Sequence, residues 1–334
     1  MNNSDIKVSL ISLGCSKNLV DAECMTKLIK DSKMTMVDDV AISNVAIINT
    51  CGFIESAKTE AISTILDVAE LKAPKGNVEL IIVTGCLSQR YSEEIKESLP
   101  EVDAILGTSH YQDIVEVILA LLSKKESLPI THVSKAGGIK HLLPSREIST
   151  TGYAWLKIGE GCRNCCTFCA IPLIRGKFIS RPLEDVLEEA RDLASRGYKE
   201  LILAAQDTTN YGIDIYGKRS LPKLLHSLAQ IDGIDTIRVM YGYMDGLDDE
   251  LIEEMRTNSK VAHYMDIPIQ HADDMVLKAM NRRDTSSLIT ERLSKLRQAI
   301  PDLVVRTTVM VGFPGETEEA FENLKEKLKL WRFD

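Results

Sequence analysis

The sequence predicts an α/β protein built from an N-terminal parallel-sheet α/β domain followed by a partial (β/α) barrel. Three observations carry that prediction. Short runs rich in Val and Ile alternate with helix-length segments along most of the chain. The runs are almost continuously apolar, as in parallel strands covered on both faces. At 334 residues and 37.2 kDa the chain also exceeds one ordinary domain. In the first half the strands fall at 7–13, 45–49 and 79–84, and the helices at 19–31, 56–71, 92–98 and 111–123. The stretch 129–144, with Gly137 and Gly138, has no period and reads as a connector, so the domains divide into 1–145 and 146–334. Five further strands are expected at 154–158, 200–204, 236–241, 263–268 and 303–310. Helices at 183–196, 221–231, 248–258, 273–280, 287–299 and 317–331 separate or follow them. Such β/α units place their chemistry at the carboxyl ends of the strands. The chain stops at Phe333 and Asp334, just after a helix where another strand is due, so the barrel reads as truncated.

Composition excludes several classes. The chain is 44% hydrophobic and 27% charged, too rich in core-forming residues for a disordered protein. Lys and Arg number 40 against 49 Asp and Glu, for a net charge of −9. Residues 1–150 hold 15 basic and 20 acidic side chains, and the remainder 25 and 29. Neither half is basic enough to hold a phosphate backbone by bulk charge. No apolar run reaches membrane-spanning length, and the first five residues lack the pattern of a signal peptide. A cytoplasmic setting follows, where thiols stay reduced.

Eight cysteines therefore need a purpose other than disulfides. Cys15, Cys51 and Cys86 each follow a strand directly, at intervals of about one βα unit. Parallel strands carry their carboxyl ends to one edge, so these three thiols converge. Three thiolates with one open position suit a 4Fe–4S cluster or a zinc ion. Gly14, Gly52 and Gly85 beside them would admit a bulky inorganic core. Cys24 lies within a helix and reads as core. The other four, Cys162, Cys165, Cys166 and Cys169, crowd one loop after the first barrel strand. Two ligand sets fit: Cys162, Cys166 and Cys169, or Cys162, Cys165 and Cys169. Structural zinc normally takes four ligands from two separated pairs, and no second pair lies nearby.

Cysteines spaced three and then two residues apart, with Phe168 before the last, resemble the radical S-adenosylmethionine superfamily. That likeness selects Cys162, Cys166 and Cys169. A three-cysteine domain ahead of such a barrel resembles the methylthiotransferase family. The stretches 12–21 (SLGCSKNLVD), 49–57 (NTCGFIESA), 205–209 (AQDTT), 266–272 (DIPIQHA) and 311–317 (VGFPGET) resemble its branch that modifies ribosomal protein S12. The family commonly carries a further small β-barrel domain, which this sequence lacks.

The resemblance implies two 4Fe–4S clusters and two uses of S-adenosylmethionine. One cluster, on Cys162, Cys166 and Cys169, would chelate S-adenosylmethionine and cleave it to a 5′-deoxyadenosyl radical, which takes hydrogen from the β-carbon of an S12 aspartate. The other, on Cys15, Cys51 and Cys86, would donate sulfur, Cys51 being catalytic in that sense, and a second S-adenosylmethionine the methyl group. Gln206 is expected to grip the methionine amino group, and Gln270 and His271 to reach ribose or substrate. Arg306 is expected to be buried against a carboxylate, and Gly312 and Gly315 to pass beneath adenine. Arg175 and Arg181 would meet carboxylates of cofactor or substrate. The implied partners are S12, free or in the small subunit, an electron donor such as flavodoxin or ferredoxin, and a sulfur source, with no membrane. Five histidines, His110, His132, His141, His226 and His263, show no partner pattern. The competing readings are a transfer-RNA methylthiotransferase and an iron–sulfur electron carrier. The acidic surface favours a basic protein substrate over RNA, and a carrier would not cleave S-adenosylmethionine.

Overall fold

A computed structural model describes residues 3–123, 129–135 and 146–334. These residues form two compact units, Met1–Ser149 with Ala170–Lys177, and Thr150–Cys169 with Phe178–Asp334.

The first unit is a six-stranded, wholly parallel sheet in the order β2-β1-β3-β4-β5-β6. Its elements are β1 (Lys7–Ser12), α1 (Ser16–Asp31), β2 (Thr35–Met36), β3 (Val45–Thr50), α2 (Glu55–Ala69), β4 (Leu80–Gly85), α3 (Cys86–Arg90), α4 (Ser92–Ser98), β5 (Ala104–Leu106), α5 (Ile114–Leu122) and β6 (Ile130–His132). Every residue of β3 and β4 is buried, which is why both read as unbroken apolar runs. Ala61, Ile65 and Val68 of α2 share one core with Ile48, Ile81 and Val83 beneath them.

Sequence periodicity missed β2, β5 and β6, because two or three residues cannot display a period. The stretch taken as a patternless connector holds the edge strand β6 at its start. The rest of that reading, from 136 to 144, lies outside the described residues.

The second unit begins with β7 (Tyr153–Lys157) and a small antiparallel pair, β8 (Gly159–Glu160) and β9 (Ile179–Ser180). Between β8 and β9 the chain forms α6 (Ile171–Ile174), which groups with the first unit. There follow α7 (Leu183–Ser195), β10 (Glu200–Ala204), α8 (Ile213–Tyr216), α9 (Leu221–Ala229), β11 (Thr236–Val239), α10 (Asp249–Thr257), β12 (Val261–Asp266), α11 (Asp274–Ala279), α12 (Ser286–Ala299), β13 (Val304–Arg306) and α13 (Glu318–Trp331). Strands β7, β10, β11, β12 and β13 pair in that order, all parallel, as expected for part of a (β/α) barrel. The strand expected at 303–310 is shorter than its sequence suggests. The Thr307 hydroxyl takes over from the backbone there, donating to the Ile267 carbonyl at 2.7 Å. Beyond Arg306 the pairing survives only piecemeal, as Thr307 Oγ1 accepting from Ile269 N and a bridge between Gln270 and Val309.

Residues 146–149 return to α1 through a buried carboxylate. Glu23 accepts from the Arg146 guanidinium and from Ser149 through N and Oγ, each of the latter at 2.8 Å. Both charged side chains are almost fully buried. Removing one partner strands the other charge, at a cost of about 3 kcal/mol. Glu23→Gln is therefore expected to speed native-state hydrogen exchange of the β1 and β3 amides by about two orders of magnitude. Unchanged protection would show that the pair contributes no stability.

Candidate functional site

Strand register decides where the first three cysteines go. Thr50 of β3 pairs with Gly85 of β4, so the next residues, Cys51 and Cys86, leave adjacent strands at the same height. Cys15 follows β1, the other neighbour of β3, and caps the amino end of α1. Two of the glycines beside them, Gly52 and Gly85, have a different role from the one expected. Gly14 and Gly85 hold φ of +94° and +98°. A Cβ on Gly85 would lie 2.4 Å from the Thr50 carbonyl oxygen, and one on Gly52 2.8 Å from Leu87 Cα. Gly85 and Gly52 let the loops pack on one another, and the space they spare is already filled by backbone, whereas a Cβ on Gly14 would lie 2.8 Å from Cys51 Cβ and 3.4 Å from Cys51 Sγ.

One cation hydrogen-bonds within this group. Arg175 is buried and donates to Asn18 Oδ1 at 2.5 Å, to Asp21 Oδ2 at 3.1 Å and to Cys86 Sγ at 3.6 Å. Burial raises the Cys86 thiol, against the pull of Arg175, and burial likewise raises Cys51. At Cys15 desolvation is outweighed by the charges of Lys17 and Arg175, and its pKa falls below the ordinary thiol value. The expectation that Arg175 would meet a carboxylate of cofactor or substrate is thus corrected: its carboxylate is Asp21, and it stands at the first cysteine group. Cys24 is fully buried core.

The loop after β7 and β8 turns Cys162 and Cys166 inward, each 7% exposed, and leaves Cys169 half-buried. Cys165 is exposed and sits at φ +49°. Asn164 holds the loop, donating to Cys162 Sγ through N and Nδ2 at 3.5 Å and to Asp207 Oδ2 through Nδ2 at 2.7 Å. Asp207 is fully buried, and burial raises its pKa. Burial also pushes the Cys162 thiol up to about 11, with Asp207, Cys169 and Cys166 adding to the effect. Tyr243 Oη lies 3.8 Å from Cys166 Sγ, and the Arg282 guanidinium stacks on the Tyr243 ring at 4.5 Å. Arg282 is itself paired with Asp284.

Sulfur spacing tests what such groups can hold. A tetrahedral zinc ion with Zn–S bonds near 2.3 Å keeps its sulfurs about 3.8 Å apart. Among the described residues, three ligating atoms come within 4.8 Å of one another only at His110, Asp113 and His132. The ligating sulfurs of neither cysteine triad all lie within 4.8 Å of one another, so both stand wider than a single zinc ion holds its ligands. The neighbourhood of the second triad also holds an orphaned acceptor. Gln206 donates through Nε2 to Glu160 Oε1 at 2.9 Å, yet its buried Oε1 has no hydrogen-bond partner among the described residues. That oxygen is suited to an ammonium donor of a bound ligand.

Residues 7–107 match a family described as uncharacterized protein family UPF0004, and residues 156–328 match the radical SAM superfamily. Curated proteins named ribosomal protein uS12 methylthiotransferase RimO are similar across nearly the whole chain. The relative from Clostridioides difficile is 49% identical, with 98% of this chain and 73% of that protein covered. The relative from Acetivibrio thermocellus is 48% identical at the same coverage. The chain belongs to the RimO family of radical SAM methylthiotransferases. Among solved structures, the radical S-adenosylmethionine methyltransferase TsrM of Kitasatospora setae matches at TM-score 0.72 and 13% identity, over 100% of this chain and 74% of that one. The cobalamin-dependent radical enzyme OxsB matches at 0.67 and 11%, over 97% and 52%. At these identities the likeness extends to the fold alone.

Several residues in this RimO family member differ from expectation. His271 is fully buried and engaged at both nitrogens, with Nδ1 accepting from Asp273 N at 3.0 Å and Nε2 donating to Glu316 Oε1 at 3.2 Å. It braces the loop after β12 and is not free to reach a ribose. Gln270 precedes it at φ +69°, in the backbone bridge to Val309. Arg306 does have its carboxylate, Asp266 at 2.9 Å, but Asp266 is the buried partner and Arg306 is 56% exposed. Arg181 is buried against Glu189 and the Lys157 carbonyl. Gly312 and Gly315 turn at φ +76° and +89°, facing open space. Glu316 closes that turn by accepting from Gly312 N and Phe313 N. Phe168 packs edge-on to Phe313 at 6.4 Å. Sequence reading missed Asn18, Asn164, Asp207, Tyr243, Arg282 and Glu316. Asn18, Asp207 and Glu316 lie within the stretches that resemble the family, but their hydrogen-bond roles arise only on folding.

The thiol environments predict an order of reactivity in the metal-free chain, because the thiolate is the nucleophile. As pH rises, Cys15, whose pKa is lowered, should alkylate before Cys51 and Cys86, and Cys162 only near pH 11. Iodoacetamide labelling read by peptide mass spectrometry checks the order. Arg175→Gln should slow Cys15 at neutral pH by removing a stabilising cation, and equal rates in the two proteins would contradict this account.

Proposed function

We propose that the chain inserts sulfur and a methyl group at the β-carbon of an aspartate of ribosomal protein S12, with Cys162, Cys166 and Cys169 holding the 4Fe–4S cluster that cleaves S-adenosylmethionine and Cys15, Cys51 and Cys86 holding a sulfur-donating one. The observation that carries it is the placing of two cysteine triads just past strand ends, with Cys86, Cys162 and Cys166 buried, in a chain nearly half identical to uS12 methylthiotransferases. When bound, a cluster with one open iron supplies the electron that breaks the sulfonium bond of S-adenosylmethionine, and the second cluster supplies sulfur.

The chain's own residues do the positioning. Asp207 and Asn164 fix the loop so that Cys162 and Cys166 face inward and Cys165 is left outside. The Gln206 oxygen accepts from the amino group of S-adenosylmethionine, while Glu160 fixes its other end. The turn at Gly312 and Gly315, pinned by Glu316, offers a flat backbone edge to adenine. Gln270 and Arg306 flank the same strand ends for ribose or carboxylate, and Phe168 seats the loop carrying Cys169. Burial of Cys162 and Cys166 limits water near the reacting centre. Arg175 offsets the negative charge of the first triad. The net charge of −9 attracts a basic ribosomal protein and repels bare RNA. A low-potential donor such as flavodoxin or ferredoxin, a sulfur source and a cytoplasmic setting complete the reading.

Mass spectrometry of S12 and bulk transfer RNA, from cells with and without the full-length gene, tests the substrate. Methylthiolated S12 should appear only with the gene, and gene-dependent thiomethylation of transfer RNA instead would overturn the assignment. In purified protein, Cys166→Ala should cut 5′-deoxyadenosine formation to below about 1% of the parent, while Cys165→Ala retains most of it. Cys51→Ala should cleave S-adenosylmethionine yet transfer no sulfur. Persistent sulfur transfer by Cys51→Ala would remove the donor role from the first triad.

A further inference from the structure

The carboxyl edge of the six-stranded sheet carries a second set of ligating side chains, two strands beyond the cysteines. Leu106, the last residue of β5, pairs with His132, the last of β6. Four residues past Leu106 stands His110, and three further on Asp113, where a short turn enters α5. Asp113 Oδ2 lies 2.8 Å from His110 Nδ1 and 3.3 Å from His132 Nδ1. All three ligating atoms fall within 4.8 Å of one another. A tetrahedral ion with bonds near 2.0 Å spaces its ligands about 3.3 Å apart, so the group needs little movement to close on one.

The imidazoles are held in this attitude. Their planes cross at 67°, with centroids 6.0 Å apart, so each turns a nitrogen toward the carboxylate instead of stacking. His110 Nε2 is 2.9 Å from Ser134 Oγ, which fixes the far side of the ring as an outer partner does for a metal-bound histidine. Gln89 ties the two loops together, accepting from Thr108 N at 3.1 Å and donating to the Ser134 carbonyl at 2.9 Å. The side chains of His110, Asp113 and His132 are 18%, 23% and 34% exposed, sheltered yet open to an entering ion.

We propose that His110, Asp113 and His132 form a mononuclear site for a divalent transition metal of the zinc class, separate from both cysteine groups. Two imidazoles and one carboxylate suit zinc and its first-row neighbours, whereas calcium and magnesium prefer all-oxygen sets. Three protein ligands leave a fourth position for water. The site does not depend on the proposed function, because iron content reports on the cysteines and zinc stoichiometry on the histidines.

The test is calorimetric titration of Zn2+ into the anaerobic chain after both cysteine groups are loaded with iron and sulfide, with cluster absorbance followed in parallel. One equivalent should bind with the absorbance unchanged. His132→Ala should weaken it 100-fold or more, and Ser134→Ala about 10-fold. Asp113→Asn keeps the size of the side chain, and with iron content and circular dichroism as in the parent it should still bind at least 10-fold more weakly. Zinc uptake equal to that of the His110→Ala/His132→Ala double variant, or uptake that bleaches the clusters, overturns the site. Full affinity in a properly folded Asp113→Asn does the same.

Discussion

Parallel strand pairing in fixed register is the constraint on which the first unit's chemistry depends. In a parallel sheet every strand ends at the same edge, so a residue placed just past a strand is delivered there whatever its distance along the chain. The pairs Ser12–Asn49 and Thr50–Gly85 set the heights at which Cys15, Cys51 and Cys86 leave β1, β3 and β4. Every residue of β3 and β4 is buried, so the side chains of both faces are held by close packing on either side of the sheet. The His110, Asp113 and His132 group obeys the same rule two strands further along.

Burial then sets the chemistry of the delivered groups. Cys51, Cys86 and Cys162 are driven toward the neutral thiol, whose proton a metal must displace on binding. Each triad is matched to a polar frame of its own. Arg175, Asn18 and Asp21 surround the first, while Asn164 and Asp207 steady the second with Tyr243 and Arg282 against Cys166. A buried polar group without a partner is costly, so these frames are either complete or left open toward a ligand. The free oxygen of Gln206 is an open end of that kind.

Much of the architecture was legible because long buried strands and amphipathic helices leave strong patterns. Helix α4 occupies the range the sequence assigns to it, and β10 does too. The failures share a cause. Strands of two or three residues, such as β2 and β6, are defined by their neighbours and not by their own composition. The last barrel strand read too long because Val and Thr continue past Arg306, where the Thr307 hydroxyl takes the place of backbone pairing.

By itself the sequence determined which residues can carry chemistry: the strand-end cysteines and the clustered thiols at 162–169 lie in short motifs whose spacing survives without any fold. Only the tertiary structure decided which charges attend them. Arg175, expected to meet a carboxylate of cofactor or substrate, pairs with Asp21 beside Cys86, while His271 and Arg181 brace their loops. His110 and His132, unassigned in one dimension, meet across Asp113. The reason is that hydrogen bonds and ion pairs join residues by distance in space, and chain order constrains that distance only within a helix turn or a strand.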